Sequence, residues 1–371
     1  MRTTVHGVCV LLASLAAGCE TPVTARADAA VAPPDVGVVT PVALGVYSEF
    51  VPPSQVRGAL GALAARRATL QLAIPAARVG DPELLGLLRE ARGAGVPVRA
   101  WLLLERSEGY WPNEGNLTRY REAALALLDW TAREGVSPEA LIFDVEPAYA
   151  YTLELRRTWS QGLGAVLERM RGHRDPAAFR ASVAAMTELV EAVRARGVRP
   201  VCVTYPQVVD DALDGDDDLQ DALDLPVRGV PWDEVSFMVY QTGFAEGVRA
   251  WIGPGLVGAY ARDARRAFGE RAVIALGQIG DAGIFPPAGP VYTDPAVLSQ
   301  DIAAASDEGM RRVELYSLDG MFSQGGVPRW LGATSPRPEP GEGSALVILV
   351  RSLARSLDAE LGAGRGDAGA P

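Results

Sequence analysis

The run Ala140-Leu141-Ile142-Phe143-Asp144-Val145-Glu146-Pro147 carries two carboxylic acids one residue apart at the end of an apolar stretch. Side chains alternate across a strand, so Asp144 and Glu146 are expected on one side and Phe143 and Val145 on the other. A carboxyl walled by apolar side chains and set beside a second negative group resists ionisation. Glu146 is therefore predicted to hold a proton near neutrality and to be able to donate it. Two acids in that relation suit glycosidic-bond chemistry, with Glu146 as proton donor and Asp144 as its helper. The ordinary two-carboxylate mechanism also needs an acid across the site, about 5 to 5.5 Å away for retention or about 6.5 to 9.5 Å for inversion. Glu105 and Asp319 are candidates for it. The plainer alternative is that the pair caps loops or binds Arg156 or Arg157.

Other chemistries are poorly supplied. The chain has two histidines, His6 and His173, and three cysteines, Cys9, Cys19 and Cys202. A Ser-His-Asp triad, a Cys-His pair and a histidine-ligated zinc are thereby disfavoured, no disulfide framework is expected, and no cofactor is implied. The net charge of −11 and the lack of a Lys/Arg-rich run argue against nucleic acid as a partner. Gly253-Pro254-Gly255-Leu256-Val257-Gly258 has dinucleotide-loop spacing, but Pro254 and its distance from the preceding strand make it a loop-to-helix turn. The acidic run 210–218 offers oxygens for calcium but lacks EF-hand spacing and the closing Glu, so it reads as a solvated loop with no metal.

The acids must be held by a larger frame. Apolar strands are expected at 42–47, 69–74, 98–104, 140–145, 199–205, 234–240, 272–277 and 312–317. Amphipathic stretches run between them at 82–95, 117–135, 176–197, 255–268 and 295–309, several closing on glycine as helix C-termini do. Eight such units in one domain, 41–334, predict an α/β fold: a single-domain (β/α)8 TIM barrel with an extra helical insertion after strand four, broken near 171–175. A doubly wound open sheet is the alternative. Strand ends then populate the mouth with Tyr47, Glu49, Gln71, Glu105, Tyr110, Trp111, Tyr205, Gln207, Tyr240, Gln241, Gln278, Tyr316 and Asp319. Aromatic faces for pyranose rings, with amides and carboxylates for hydroxyls, make a carbohydrate site.

Asp144-Val145-Glu146 on strand four and Phe237-Met238-Val239-Tyr240-Gln241 on strand six resemble the chitinase-type barrels of glycoside hydrolase family 18, whose motifs are D-G-x-D-x-D-x-E and M-x-Y-D. The resemblance implies that Glu146 protonates the leaving oxygen, Asp144 steadies the substrate's acetamido group and Tyr240 supports the intermediate. The chain departs from the pattern at Glu139, Ile142, Gln241 and Tyr316, so Asp144 lacks the deeper carboxyl that would share its proton. Two other readings stand beside the hydrolase: a sugar-binding barrel that has lost turnover, favoured by Ile142 and Gln241, and a muramidase of the family 25 type, which also carries Asp-x-Glu at a strand end.

The ends of the chain point to export. Residues 1–18 carry Arg2, an apolar run and small residues before Cys19, too short to span a bilayer; Gly18-Cys19 resembles a bacterial lipobox. Cleavage there would leave a lipid anchor on Cys19 at the cell envelope, with simple secretion as the alternative, and 19–40 is a tether rich in Thr, Ala and Pro. Residues 335–341 read as a Pro-rich linker, 345–361 as a terminal amphipathic helix, packed on the domain or, as the alternative, lying on a lipid surface, and 362–371 as a disordered tail. Nothing in the chain indicates an oligomeric state.

Overall fold

The computed structural model describes residues 42–248, 250–281, 283–285, 289–332 and 344–362. The signal, Cys19, the tether, the Pro-rich linker and the last nine residues lie outside them. Eight parallel strands form a closed barrel in sequence order: β1 (Ala43–Ser48), β2 (Thr69–Pro75), β3 (Val98–Leu103), β4 (Ala140–Asp144), β5 (Arg199–Thr204), β6 (Glu234–Met238), β7 (Ala272–Gly277) and β8 (Arg312–Tyr316). Closure is direct, because β1 pairs with β2 through Tyr47 and Gln71 and with β8 through Gly45 and Glu314.

Helices cover the outside and start where the sequence supplies caps. Asp81, Asp175 and Asp294 each precede a proline and accept backbone N–H groups of the first turn, at 2.7 to 3.1 Å. The proline has no N–H to lose there, and the aspartate satisfies the donors left open behind it. Between β4 and β5 stand three helices, Tyr149–Thr158, Leu163–His173 and Pro176–Arg194, one more than expected of the insertion. Gly253 adopts φ 97° and the helix Pro254–Phe268 begins behind it, so the glycine spacing there is a helix start.

Burial is arranged in two layers. Outward side chains such as Leu70, Leu102, Phe143, Phe237 and Leu315 pack under the helices. Inward ones such as Ala73, Trp101, Ile142, Val203 and Ala275 fill the barrel. Its lower interior is ionic. Arg99, fully buried, makes two bonds to Glu234 at 2.6 and 3.1 Å and lies 3.5 Å from Glu139 and from Glu314. Glu314 takes hydrogen bonds from the Tyr47 hydroxyl at 2.7 Å, Ser236 Oγ at 2.7 Å and Gln71 Nε2 at 2.5 Å. A Cβ on Gly45 would sit 2.5 Å from Gln71 Nε2, so glycine makes room for this network.

The helix Ala345–Gly362 is packed on the domain, burying Val347, Val350, Ala354, Leu357 and Leu361. The acidic run, expected to be a solvated loop, instead forms the short helices Val208–Asp214 and Asp218–Ala222, with Asp210, Asp211, Asp218 and Asp221 buried. Arginines far away in sequence make that burial tolerable: Arg351 donates to Asp210 at 2.9 Å, and Arg174 pairs with Asp218. No helix among the described residues is long and apolar enough to cross a membrane.

Candidate active site

Asp144 is the last residue of β4 and points into the upper barrel, 4% exposed. The strand stops there: Glu146 N donates back to the Asp144 carbonyl at 3.1 Å, while Val145 N still reaches Val203 O at 2.7 Å. The expected alternation holds through the turn: Phe143 and Val145 pack in the outer layer, and the two carboxyls meet on the inner side. They are hydrogen-bonded to each other, and Glu146 also accepts from the Tyr205 hydroxyl at the end of β5.

The electrostatics favour retained protons. Burial, then the charges of Glu146 and Glu49, pushes Asp144 well above the usual carboxylate range. Burial raises Glu146 to about 7, with the bonds from Tyr205 and Asp144 pulling the other way. Asp144 is thus the firmer proton holder and donates to Glu146, which titrates near neutrality. The buried Trp101 indole lies close enough to favour ionised Asp144, yet Trp101 Nε1 and Asp144 Oδ1 have no hydrogen-bond partner. Among the described residues no arginine pairs with either acid; Arg156 instead lies over the Phe285 ring, 4.3 Å from its centroid.

A third carboxyl faces the pair. Glu49, just after β1, accepts from the Tyr110 hydroxyl at 2.8 Å and from that of Tyr316. Burial raises it to about 7 against the opposing pull of those hydroxyls, and Asp319 and Glu146 add repulsion. The strand ends supply a ring of phenols around the three acids. Tyr240 stacks on Tyr316 at 5.6 Å and 21°, and Tyr316 approaches Tyr47 at 6.1 Å. Gly277 admits the Tyr240 ring, since a Cβ there would meet it at 3.2 Å. Burial and the nearby carboxyls drive the Tyr47, Tyr240 and Tyr316 hydroxyls upward, so they stay protonated as donors.

Several residues expected at the mouth sit elsewhere. Gln71 lies down in the ionic interior on Glu314. Gln241 points out of the barrel: Nε2 donates to Asp301 at 2.8 Å and Oε1 accepts from Gly253 N at 3.0 Å. Alternation accounts for it: Met238 and Tyr240 face the inner layer, Phe237 and Val239 the outer one, and Gln241 follows on the outer side. Glu105 is exposed at the start of a 3-10 turn, outside the acid cluster. Asp319 holds the loop after β1, accepting Phe50 N at 2.7 Å and Glu49 N at 3.2 Å, and so positions Glu49. Trp111 is 2% exposed and packs edge-on to Tyr110, leaving no free face. Gln207 and Tyr205 line an apolar recess behind the mouth with Met170, Met238, Tyr240 and Leu357. Gln278 remains near the mouth, with its backbone N–H on Thr242 Oγ1 at 2.9 Å and its buried Oε1 unbonded.

Sequence reasoning passed over Tyr149, Phe285 and Trp101. Tyr149 stacks on Phe285 at 5.6 Å and 3°, and Trp111 lies 6.2 Å from it. Its place three residues past Glu146 was a usable signal; Phe285 sits in a long loop and offered none.

No protein-family model and no curated protein matches the chain. Solved structures share the architecture. The GH1 β-glucosidase from Exiguobacterium antarcticum B7 is 12% identical, covers 75% of this chain and 88% of its own, and gives a TM-score of 0.50. L-ribulose 3-epimerase is 12% identical over 89% and 100% at a TM-score of 0.43. The HMG-CoA lyase from Brucella melitensis is 13% identical over 88% and 99% at 0.40. At these identities the likeness concerns the barrel alone.

Proposed function

We propose that this barrel is a glycoside hydrolase acting on a polysaccharide or glycan, with Glu146 as the proton donor. The observation that carries this is the hydrogen-bonded Asp144–Glu146 pair under the mouth, with Glu146 raised to about 7 and no arginine on either acid among the described residues. A carboxyl poised there is protonated often enough to act as an acid and is not so basic that it keeps its proton. When Glu146 gives its proton to the leaving oxygen, the bonds from Asp144 and Tyr205 stabilise the carboxylate left behind. Glu49, three strands round the ring, is the carboxyl that meets the positive charge developing on the sugar, its geometry fixed by Tyr110 and Tyr316.

The likeness to the family 18 motifs supports the same assignment for Glu146 and Asp144. Ile142, fully buried in the apolar barrel interior, argues for a proton-sharing arrangement in which Glu49 and Glu146 stand in for a deeper acid. The proposed setting is the bacterial cell envelope, with the enzyme exported and lipid-anchored through Cys19.

The test is hydrolysis of aryl glycosides and polymeric glycans, including N-acetylglucosamine polymers and peptidoglycan, by the chain from Cys19 onward and by Glu146→Gln. Turnover that disappears in the variant supports the assignment and names the substrate class. No turnover by either protein, with equal glycan binding, would replace it with a sugar-binding barrel.

A further inference from the structure

The acidic segment after β5 and the C-terminal helix bring Asp211, Asp214 and Asp358 together so closely that one oxygen from each lies within 4.8 Å of the others. Asp358, on the helix Ala345–Gly362, is 4% exposed, and its Oδ1 has no hydrogen-bond partner. Asp211 is fully buried; Leu219 N reaches its Oδ1 at 3.2 Å and Gln220 Nε2 its Oδ2 at 2.6 Å. Asp214 is exposed and opens the cluster to water, with Asp216 N on its Oδ1 at 3.3 Å. The helix end presses close: a Cβ on Gly362 would lie 3.2 Å from Asp218 Oδ2 and 3.5 Å from Asp216 Oδ2.

The arginines nearby are committed elsewhere. Arg351 serves Asp210 and Asp263, Arg228 serves Asp217, and Arg174 serves Asp218. Among the described residues no cationic side chain pairs with Asp211, Asp214 or Asp358. A buried, unpaired carboxylate group of this kind is costly unless something positive sits among the oxygens.

We infer that Asp211, Asp214 and Asp358 hold a calcium ion that clamps the C-terminal helix to the segment following β5. Calcium takes six to eight oxygens at roughly 2.3 to 2.6 Å, so its ligands span up to about 5 Å, as these do. Three carboxylates, one or more of them bidentate, with water entering beside Asp214, complete such a shell. The clamp bears on the active site, because the helix Val208–Asp214 starts directly after Tyr205, Pro206 and Gln207.

The experiment is calcium titration by calorimetry and thermal melting of the EDTA-dialysed protein, its Asp358→Asn variant and its Asp214→Asn variant. The wild type is expected to bind one calcium, and calcium at about a hundred times its dissociation constant raises Tm by about 5 °C. Both variants should lose at least tenfold in affinity and most of that rise. In EDTA Asp358→Asn should melt no lower than wild type, since it relieves repulsion, and the exposed Asp214→Asn controls for misfolding. Equal melting of wild type in calcium and EDTA without binding heat, or an undiminished calcium shift in both variants, would overturn the assignment.

Discussion

Glu49→Gln is the sharpest probe of the acid cluster, because it separates electrostatics from packing. The side chain keeps its size; Tyr110 and Tyr316 bond to separate oxygens of Glu49, so in the variant the amide oxygen accepts from one hydroxyl and the amide NH2 donates to the other. What disappears is a carboxyl whose value rises from 4.5 to about 7 on folding. A group raised in this way binds its proton more tightly folded than unfolded. Its contribution is complete below about pH 4.5 and is lost as pH rises through about 7. Carried to pH 8.5, that rise amounts to about 3 kcal/mol of destabilisation, reduced to about 2 because the carboxyl is only partly covered. Glu49→Gln should therefore match or fall slightly below wild type at pH 4.5 and exceed it by about 2 kcal/mol at pH 8.5. For a domain of this size that is a gain of about 4 °C in Tm. Urea denaturation and calorimetry at the two pH values measure it. A stability difference that does not change between pH 4.5 and 8.5 would refute the claim that Glu49 is held protonated in the folded barrel.

The donor itself is tested by rate: with an active glycoside in hand, Glu146→Gln should lower kcat by about a hundredfold or more, and wild-type kcat/KM should decline above about pH 7, where Glu146 loses its proton. Tyr205→Phe removes a bond that favours ionised Glu146, so that alkaline limb should move up by about one pH unit, read from the pH profile. Arg99→Met leaves fully buried Glu314 without its cation, while Glu234 and Glu139 keep Arg199, and should cost about 3 kcal/mol, seen as a lower urea midpoint at pH 7.

The barrel was legible because its strands are apolar on both faces and separated by amphipathic runs, a pattern that only a helix-covered parallel sheet satisfies. The Asp144–Glu146 pair was legible for the same reason: a strand end fixes which acids are neighbours. Depth and direction past the strand ends were not. Gln71 faces inward as alternation requires, but two-residue periodicity cannot say that it lies one layer below the mouth, on a glutamate 243 positions away. Gln241 lies outward, on Asp301, by the same alternation that turns Tyr240 inward, so expecting both neighbours at the mouth ran against that period. The aspartates after β5 look solvated in sequence because the arginines and the helix that bury them come from residues 174 and 345–362.

On the proposed hydrolase reading, Ile142 and Glu49 belong to one rearrangement. In the motif that this chain resembles, an inner acid sits below the position of Asp144; here that place is filled by an isoleucine packed in the apolar barrel interior. A carboxyl at that depth would be stranded, since the only buried cation of the described interior, Arg99, is already engaged by Glu234, Glu139 and Glu314. The repulsion that an inner acid would exert comes instead from Glu49, which enters from β1 at the level of the mouth, held by two phenols and by the backbone bonds of Asp319 to its loop. With the partner carboxyl at the rim rather than at depth, Asp144 is still pushed toward its protonated form, and in the proposed reaction the partner stands where a substrate would touch it. A carboxyl that serves only to tune Asp144 becomes, at the rim, one that can also face the sugar.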